Sequence, residues 1–378
     1  MRRLWLVCAQ IVTVALALYG LLALLRPELL PHPGQRSQVG VVADHVPVLQ
    51  APLLPATGAS YREAAARAMP AVVNILTSKS VTKNHPLLTD PLLRRFFGER
   101  GQQASLGSGV IVSPDGYILT NNHVVEEADQ IDVVLADGRK SPAKVVGTDP
   151  ETDLAVIRID AEKLPVIVLG HAEQARVGDV VLAIGNPFGV GQTVTMGIIS
   201  ALGRNNLHIN HFENFIQTDA AINFGNSGGA LIDTSGNLLG INSAIYSQTG
   251  GSVGIGFAIP VSTAKTVLEE IILHGQVVRG WIGIETQDIT PEIAASFGLE
   301  RDKGAIVAGV VTDGPADRAG MRPGDILLTV AGQSVASTAD TLNLIAKLVP
   351  GRNATMTVMR KHRETALQVR VAKRPRVD

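Results

Sequence analysis

Short Val- and Ile-rich runs that alternate with turn-forming clusters dominate the middle of the chain. Residues 110–112 and 118–120, for example, flank a Ser-Pro-Asp-Gly turn sequence. Such runs between Gly, Pro, Asn and Asp clusters are typical of β-strands joined by tight turns. With few helical patterns between them, they predict a mainly β fold of barrels or a sandwich. The runs are residues 71–76, 110–112, 118–120, 131–135, 155–159, 180–184, 194–199, 230–232 and 254–259.

Composition narrows the classes of function. The 378 residues are 46% hydrophobic and 18% charged, which favours two or three folded domains over disorder. Lys and Arg number 33 against 34 Asp and Glu, so no basic excess points to nucleic acid as a partner. Cys8 is the one cysteine, which excludes an intramolecular disulfide and a cysteine-rich zinc site. His208 and His211 have H-x-x-H spacing without a third ligand, and we expect neither metal nor cofactor.

The N-terminus has the pattern of a membrane anchor. Arg2 and Arg3 precede an uncharged apolar run at residues 4–25, which as a helix would span about 33 Å, enough for a bilayer. A cleaved signal peptide is the alternative, but its apolar region is shorter and is followed by a small-x-small site, which is missing here. We therefore expect a single-pass transmembrane helix at residues 1–25, with a cytoplasmic N-terminus. Residues 26–59, rich in Pro, Gly and Gln, are expected to form a flexible linker.

A candidate nucleophile lies in the sequence Gly225-Asn226-Ser227-Gly228-Gly229. A serine hydroxyl is a weak nucleophile unless a neighbouring base takes its proton, and flanking glycines let backbone N–H groups converge on one point. A hairpin turn without chemistry is the alternative. The pattern also fits the G-x-S-x-G elbow of α/β-hydrolases, but that elbow needs a helix after the serine, and the residues that follow read as strand, turn and strand.

A histidine and an acidic residue can complete the chemistry. His123 follows a candidate strand, and its imidazole can accept and return a proton near neutral pH. Asp153 stands just before an apolar strand and could be buried against the imidazole, with Asp149 and Glu151 as rival carboxylates. The chain order His123, Asp153, Ser227 is that of chymotrypsin-like proteases. Together these residues predict acyl transfer by a Ser-His-Asp triad.

Seven stretches resemble the HtrA/Deg family of trypsin-like serine proteases. The similarity runs from about residue 61 to the C-terminal region. It implies a chymotrypsin-like double β-barrel protease domain at residues 60–274, with the active site between two six-stranded barrels. His123 and Asp153 would come from the first barrel and Ser227 from the second. The matching stretches are residues 107–112, 120–125, 152–156, 185–189, 217–223, 225–229 and 254–260.

The same resemblance assigns an oxyanion hole. It would use the backbone N–H groups of Gly225 and Ser227, with Asn226 as a further donor. Phe224, directly before this run, departs from the residues that many family members carry there, among them Pro. Because the family often holds the loop collapsed until activated, the bulky Phe224 could tune that switch.

The C-terminal residues 275–375 resemble one PDZ domain of the circularly permuted α+β type found in Deg proteases. The sequence Trp281-Ile282-Gly283-Ile284 matches the carboxylate-binding loop of such domains. Free backbone N–H groups in that loop would hold the C-terminal carboxylate of a peptide, which would add as an edge strand. A helix at residues 339–347 would form the other wall of the groove.

One anchor, one protease domain and one PDZ domain together resemble the DegS/AlgW type within the family. That resemblance implies an inner-membrane envelope-stress sensor with periplasmic domains, forming a homotrimer with Tyr61 near the threefold contact. C-terminal peptides of misfolded outer-membrane proteins would activate it for site-1 cleavage of a membrane-spanning anti-sigma factor. Arg204 matches the family's sensor-loop arginine and would carry the PDZ signal to the oxyanion loop.

Two other functions stay open at this point. A general periplasmic quality-control protease or chaperone would use the same triad, but it usually carries two PDZ units in a soluble form. A binding scaffold with a vestigial triad would keep the PDZ domain and lack turnover. Labelling of Ser227 by a fluorophosphonate discriminates the scaffold from both proteases.

Overall fold

The computed structural model describes residues 38–42, 46–50, 60–80, 102–186, 191–245, 251–297 and 304–375. The predicted anchor at residues 1–25 lies outside these ranges. Within them, none of the helices has the length and apolar character that a bilayer span requires.

Two short strands lie within residues 26–59, which the sequence predicted as a linker without regular structure. They are β1 (Gln38–Val42) and β2 (Val46–Gln50). Both are rich in valine, whose branched β-carbon favours extended backbone. The end of β2 pairs in parallel with residues 168 and 169 of the predicted protease domain. The remainder of the predicted linker up to residue 59 is outside the described residues.

A closed six-stranded barrel forms the first half of the predicted protease domain. Its strand order is β3-β4-β5-β8-β7-β6. Alternate side chains point into the barrel, where Ile75, Ile111, Ile118 and Ile157 are fully buried. Each such burial contributes about 1.5–3 kcal/mol, so the Val/Ile pattern that defines the strands also stabilises the barrel. The elements are α1 (Arg62–Ala68), a 3-10 turn (Met69–Ala71), β3 (Val72–Ser80), β4 (Gln102–Ile111), β5 (Tyr117–Thr120), α2 (Asn122–Val125), β6 (Gln130–Val134), β7 (Lys140–Asp149) and β8 (Leu154–Ile159).

The second half closes a ring of six strands as well. Neighbours follow the order β14-β13-β10-β11-β12-β15, and β15 pairs back onto β14. Strand β9 adds outside this ring, parallel to β14. The double-barrel architecture predicted from the sequence is therefore present. The elements are β9 (Val168–Leu169), a 3-10 turn (Ala172–Gln174), β10 (Val180–Gly185), β11 (Thr193–Arg204), β12 (Phe215–Thr218), β13 (Ala230–Ile232), β14 (Asn237–Ile245), β15 (Gly256–Pro260) and α3 (Val261–His274).

Helix α3 packs against both barrels. Its buried face, including Val267, Leu268 and Ile271, belongs to a core cluster that draws on strands of both barrels. At Gly147 of β7 a β-carbon would lie 2.7 Å from the Ile271 side chain, so the helix packs directly on the strand backbone. Gly275 ends the helix in the left-handed conformation with φ 68°, where its N–H donates to the Ile271 carbonyl.

The C-terminal domain has a sheet in the order β17-β18-β19-β21-β22, with β20 pairing β19 and β16 pairing β23. Strand β17 is therefore an edge strand. Helix α6 packs against β16, β17 and β19 over a core that includes Ile282, Val307 and Met356. The elements are β16 (Gly280–Trp281), β17 (Ile284–Asp288), α4 (Pro291–Phe297), β18 (Ala305–Val310), α5 (Pro315–Arg318), β19 (Ile326–Val330), β20 (Gln333–Ser334), α6 (Thr338–Ala346), β21 (Asn353–Arg360), β22 (Arg363–Arg370) and β23 (Ala372–Lys373).

The C-terminal domain contains an ion pair whose carboxylate is buried. The Arg360 guanidinium donates to both carboxylate oxygens of Asp325 at 2.6 Å, and the Asp325 side chain is 2% exposed. The hydrogen bond to Asp325 raises the pKa of Arg360 above its ordinary value. The Arg322 backbone N–H donates to the same carboxylate. Asp325 therefore joins the turn before β19 to the end of β21.

We expect Asp325→Ala to destabilise the C-terminal domain by about 3 kcal/mol, because it leaves a half-buried guanidinium without its partner. Urea unfolding followed by the fluorescence of Trp281 measures this loss. The control is Asp137→Ala, which removes a solvent-exposed pair with Arg139 and should leave the urea midpoint nearly unchanged. Equal losses in the two variants would contradict the assignment.

Candidate active site and peptide groove

His123 is held at the start of the short helix α2 by contacts with Asp153. The Asn122 N–H donates to the Asp153 carbonyl at 3.2 Å, and the His123 N–H donates to Asp153 Oδ1 at 3.0 Å. Asp153 itself adopts a left-handed φ of 58°, which is uncommon for a residue with a β-carbon. The loop before β8 therefore fixes both the backbone and the side chain of the histidine.

The imidazole of His123 lies directly on the Asp153 carboxylate. His123 Nδ1 is 2.9 Å from Oδ1 and 2.8 Å from Oδ2. The Asp153 side chain is 13% exposed, whereas that of His123 is 48% exposed. A carboxylate accepts hydrogen bonds only, so Nδ1 carries the proton and Nε2 keeps its lone pair for another partner. This is the arrangement of an oriented general base.

Ser243 on β14 connects this pair to the candidate nucleophile. Its Oγ donates to Asp153 Oδ2 at 3.0 Å, and its carbonyl accepts a hydrogen bond from Ser227 Oγ at 3.2 Å. One residue of the second barrel thus contacts two of the three predicted triad members. Nothing in the local sequence around Ser243 predicted this role.

Ser227 Oγ points to the Ser243 carbonyl, and no hydrogen bond joins it to His123 within the described part of the chain. The hydroxyl is half-buried at the edge of the cleft. In ligand-free proteases the hydrogen bond between nucleophile and base is often long or missing and forms only with substrate. Because the hydroxyl has one proton to donate, Ser227 Oγ has to leave the Ser243 carbonyl before it can donate to His123.

Two backbone N–H groups in the loop around Ser227 make no hydrogen bond within the described residues. Those of Gly225 and Ser227 have no acceptor among the residues described, while the Gly228 N–H donates to the Asn242 carbonyl at 2.8 Å. The Asn226 N–H, which the resemblance adds as a further oxyanion donor, donates to the Asn223 carbonyl at 3.0 Å in this conformation. Gly225 has a φ of 96°, which a side chain would strain.

The two rival carboxylates are engaged elsewhere. Asp149 accepts from both terminal nitrogens of Arg279 at 2.6 and 2.5 Å, and Glu151 accepts from Arg374 Nε at 2.5 Å. Both guanidinium groups lie over the ring of Phe212, at 4.4 and 5.4 Å from its centroid. Asp149 and Glu151 therefore tie the loop before Asp153 to the first and last parts of the C-terminal domain.

Arg204 stands at the end of β11, exposed to solvent. Its Nε donates to Gln217 Oε1 on the neighbouring strand β12 at 2.8 Å. The loop that follows β11 is organised by Glu213, whose carboxylate accepts the N–H groups of Leu207, Ile209 and Asn210. This loop reaches the catalytic side of the first barrel, since its Phe212 N–H donates to the Glu151 carbonyl.

The predicted carboxylate-binding loop lies between β16 and the edge strand β17. The N–H groups of Ile282 and Gly283 have no acceptor within the described residues, while their carbonyls accept from Ala316 and Val311. Gly283 has a φ of 76°, and a β-carbon there would lie 3.0 Å from the ring of Trp281. The two N–H groups of this loop are thus available to a ligand, whereas its two carbonyls are already hydrogen-bonded within the protein.

Comparison with known proteins identifies both domains. Residues 107–241 match the family model of the trypsin-like peptidase domain, and residues 280–371 match that of the PDZ domain. "Probable periplasmic serine endoprotease DegP-like" of Chlamydia trachomatis serovar D is 44% identical over 355 residues, covering 88% of this chain and 71% of the relative. A solved structure, "HtrA-type protease AlgW with decapeptide", is 54% identical with a TM-score of 0.74 and covers 84% of this chain and 100% of that one. The chain belongs to the HtrA family of serine endoproteases.

Two further neighbours support the same placement of this HtrA protease. "HtrA-type protease AlgW with tripeptide" is 52% identical with a TM-score of 0.76, covering 84% of this chain and 98% of that one. A serine endoprotease from Yersinia pestis is 42% identical with a TM-score of 0.64, covering 85% of this chain and 100% of that one. The predictions of the family, of serine endoprotease activity and of one PDZ domain are confirmed.

Proposed function

We propose that Ser227, His123 and Asp153 form the catalytic triad of this HtrA protease. His123 Nε2 takes the proton of Ser227 Oγ as the oxygen attacks the carbonyl carbon of the scissile peptide bond. The N–H groups of Gly225 and Ser227 donate to the oxyanion of the tetrahedral intermediate. The observation that carries this assignment is the double contact of Nδ1 with the Asp153 carboxylate, since it leaves Nε2 free to act as a base.

The intermediate collapses when His123 returns its proton to the leaving amine and the peptide C–N bond breaks. The acyl group then remains esterified to Ser227. Water attacks this ester in the same way, with His123 again accepting and returning a proton, and the carboxylic acid product leaves. Asp153 keeps its charge throughout and stabilises the imidazolium.

We further propose that the PDZ domain switches the protease on when it binds the C-terminus of a peptide. The open N–H groups of Ile282 and Gly283 suit a carboxylate, and the free edge of β17 suits an added strand. Two of the similar solved structures are of AlgW with a decapeptide and of AlgW with a tripeptide. Trp281 and Ile284 flank the loop and would contact the last side chain of the peptide.

Two routes could carry the signal to the active site. Arg279 and Arg374 bind the carboxylates of Asp149 and Glu151, which stand two to four residues before Asp153. Arg204 directly precedes the loop that carries Phe212. We propose that it senses the bound peptide, as the resemblance to the family implies. The first route ends on the loop before Asp153. We propose that the second acts on the loop that carries the oxyanion N–H groups.

The regulated substrate we propose is a membrane-spanning anti-sigma factor, cut at site 1 after C-termini of misfolded outer-membrane proteins bind the PDZ domain. Relatives carry "periplasmic" in their names, which supports a periplasmic location for these domains. With residues 1–25 as an inner-membrane anchor, the protease would meet such a partner at the membrane surface. A homotrimer with Tyr61 near its threefold contact belongs to the same proposal.

A general periplasmic quality-control protease or chaperone is the second candidate, because the curated relatives are named DegP-like. The peptidase rate on the periplasmic part of an anti-sigma factor, measured against the concentration of activating peptide, distinguishes the two. A sensor protease should show saturable activation that an amidated peptide does not produce. Undiminished activity without peptide, together with equal cleavage of unfolded casein, would favour quality control.

We expect Gly283→Ala to raise the half-activating peptide concentration by at least about tenfold while the rate without peptide stays unchanged. The added β-carbon would press on the ring of Trp281 and shift the N–H groups that hold the carboxylate. Gly332→Ala is the matched control, since Gly332 also has a positive φ, 82°, but has nothing within 4 Å of a β-carbon. Equal behaviour of both variants would contradict this assignment of the loop.

A further inference from the structure

Ser108 on β4 makes an unusual set of contacts beneath the nucleophile. Its side chain is fully buried. Its Oγ donates to the Gly225 carbonyl at 2.6 Å and accepts the Asn186 N–H at 3.0 Å. The hydroxyl therefore both donates and accepts a hydrogen bond. It donates to the carbonyl of Gly225, whose own N–H is a candidate oxyanion donor.

The backbone of Ser108 holds the other end of the same loop. Its N–H donates to the Ser227 carbonyl at 2.8 Å, and its own carbonyl accepts Thr120 Oγ1 at 2.7 Å. A β-carbon at Gly228 would lie 2.1 Å from this carbonyl, so the loop rests directly on the strand. Ser108 of the first barrel thus donates hydrogen bonds to two carbonyls of the loop that carries Ser227, and that loop belongs to the second barrel.

These two contacts fix peptide planes. Holding the Gly225 carbonyl sets the plane of the 225–226 peptide, and holding the Ser227 carbonyl sets that of the 227–228 peptide. Between them lies the single peptide of Asn226 and Ser227, whose N–H is one of the two oxyanion donors. With both neighbours held, its direction has little freedom, and preorganised donors of this kind stabilise developing negative charge.

We propose that Ser108 is a positioning residue, which holds the oxyanion loop in the geometry that stabilises the tetrahedral intermediate. The inference rests on the proposed roles of Ser227 and the oxyanion N–H groups. Packing alone does not call for a hydroxyl at this site, because alanine would fill nearly the same volume in a barrel wall.

The test is Ser108→Ala in the full chain, assayed at saturating activating peptide. We expect kcat to fall about 10–100-fold with KM changed less than about threefold, because the lost contact acts on the transition state. Affinity for a peptide boronate, whose adduct with Ser227 is tetrahedral, should fall in parallel with kcat. Ser113→Ala is the matched control, since Ser113 is equally buried in the same barrel and its Oγ accepts only the Asp115 N–H.

A kcat within twofold of the parent, a loss shared by Ser113→Ala, or an unchanged boronate affinity would each overturn the proposal. Thr120→Val provides a second variant should Ser108→Ala fold poorly, since it keeps the shape and removes the hydrogen bond to the Ser108 carbonyl. We expect a smaller fall in kcat there, and an unchanged kcat would count against the proposal. Ser227→Ala separates the proposed triad from the proposed role of Ser108. Full activity of Ser227→Ala would reject the triad. An inactive Ser227→Ala together with a fully active Ser108→Ala would reject only the role of Ser108.

Discussion

Replacing Ser227 with alanine is expected to lower kcat by about 10⁵–10⁶-fold, the effect of removing the nucleophile from a serine protease. The hydroxyl is the atom that bonds to the substrate, and no other described side chain stands in the same loop to replace it. Steady-state hydrolysis of an anti-sigma fragment with activating peptide measures the loss. A residual rate above water should remain, because the oxyanion N–H groups are untouched.

The fold should tolerate this change. Ser227 Oγ makes one hydrogen bond, to the Ser243 carbonyl, and the side chain is only half-buried. Thermal unfolding and the affinity of the PDZ domain for peptide should therefore match those of the parent. A kcat within tenfold of the parent would contradict the assignment of Ser227, and a collapse of the melting temperature would make the loss structural.

Asp153→Asn is expected to lower kcat by about 10⁴-fold. Asparagine keeps the size of the side chain but replaces one acceptor oxygen with an NH₂ group. It then no longer holds the proton of His123 on Nδ1, so Nε2 loses the lone pair that accepts the serine proton. The Ser243 hydroxyl and the His123 backbone N–H, which both donate to this carboxylate, would compete for the remaining oxygen.

Asp137→Asn is the matched control for Asp153→Asn. Asp137 lies on the surface. Hydrogen bonds from the backbone N–H and then from the side chain of Arg139 lower the pKa of Asp137. Its replacement should leave kcat and KM unchanged. If Asp153→Asn lost less than tenfold in kcat, the histidine would be oriented by another group, and the proposed role of Asp153 would fail.

Much of the double-barrel fold could be predicted because its signal is local. Short Val/Ile runs bounded by Gly, Asn and Asp predicted nine of the strands β3–β15, but not β7, β9, β12 or β14. The residues of the proposed triad could be named for a related reason. Each stands at the edge of a strand within a short motif, and their chain order reproduces that of a known protease class.

The residues that the sequence did not reveal act across long separations. Ser243 meets Asp153 over 90 positions and Ser108 meets Gly225 over 117, so neither contact leaves a local pattern. The engagement of the Asn226 N–H depends on how the loop turns back on Asn223, which its sequence does not specify. The engagement of Asp149 and Glu151 elsewhere also left no local pattern, because their arginine partners lie 130 and 223 positions further along the chain.

Labelling with a fluorophosphonate tests the central claim most directly, because the reagent phosphonylates a serine only when a base and an oxyanion hole activate it. The full chain is treated with and without activating peptide, and the adduct is located by mass spectrometry of its peptides. The account predicts one adduct, on Ser227, that forms faster with peptide and is lost in His123→Ala. Peptidase activity that persists without any label on Ser227, or with label on another serine, would contradict it.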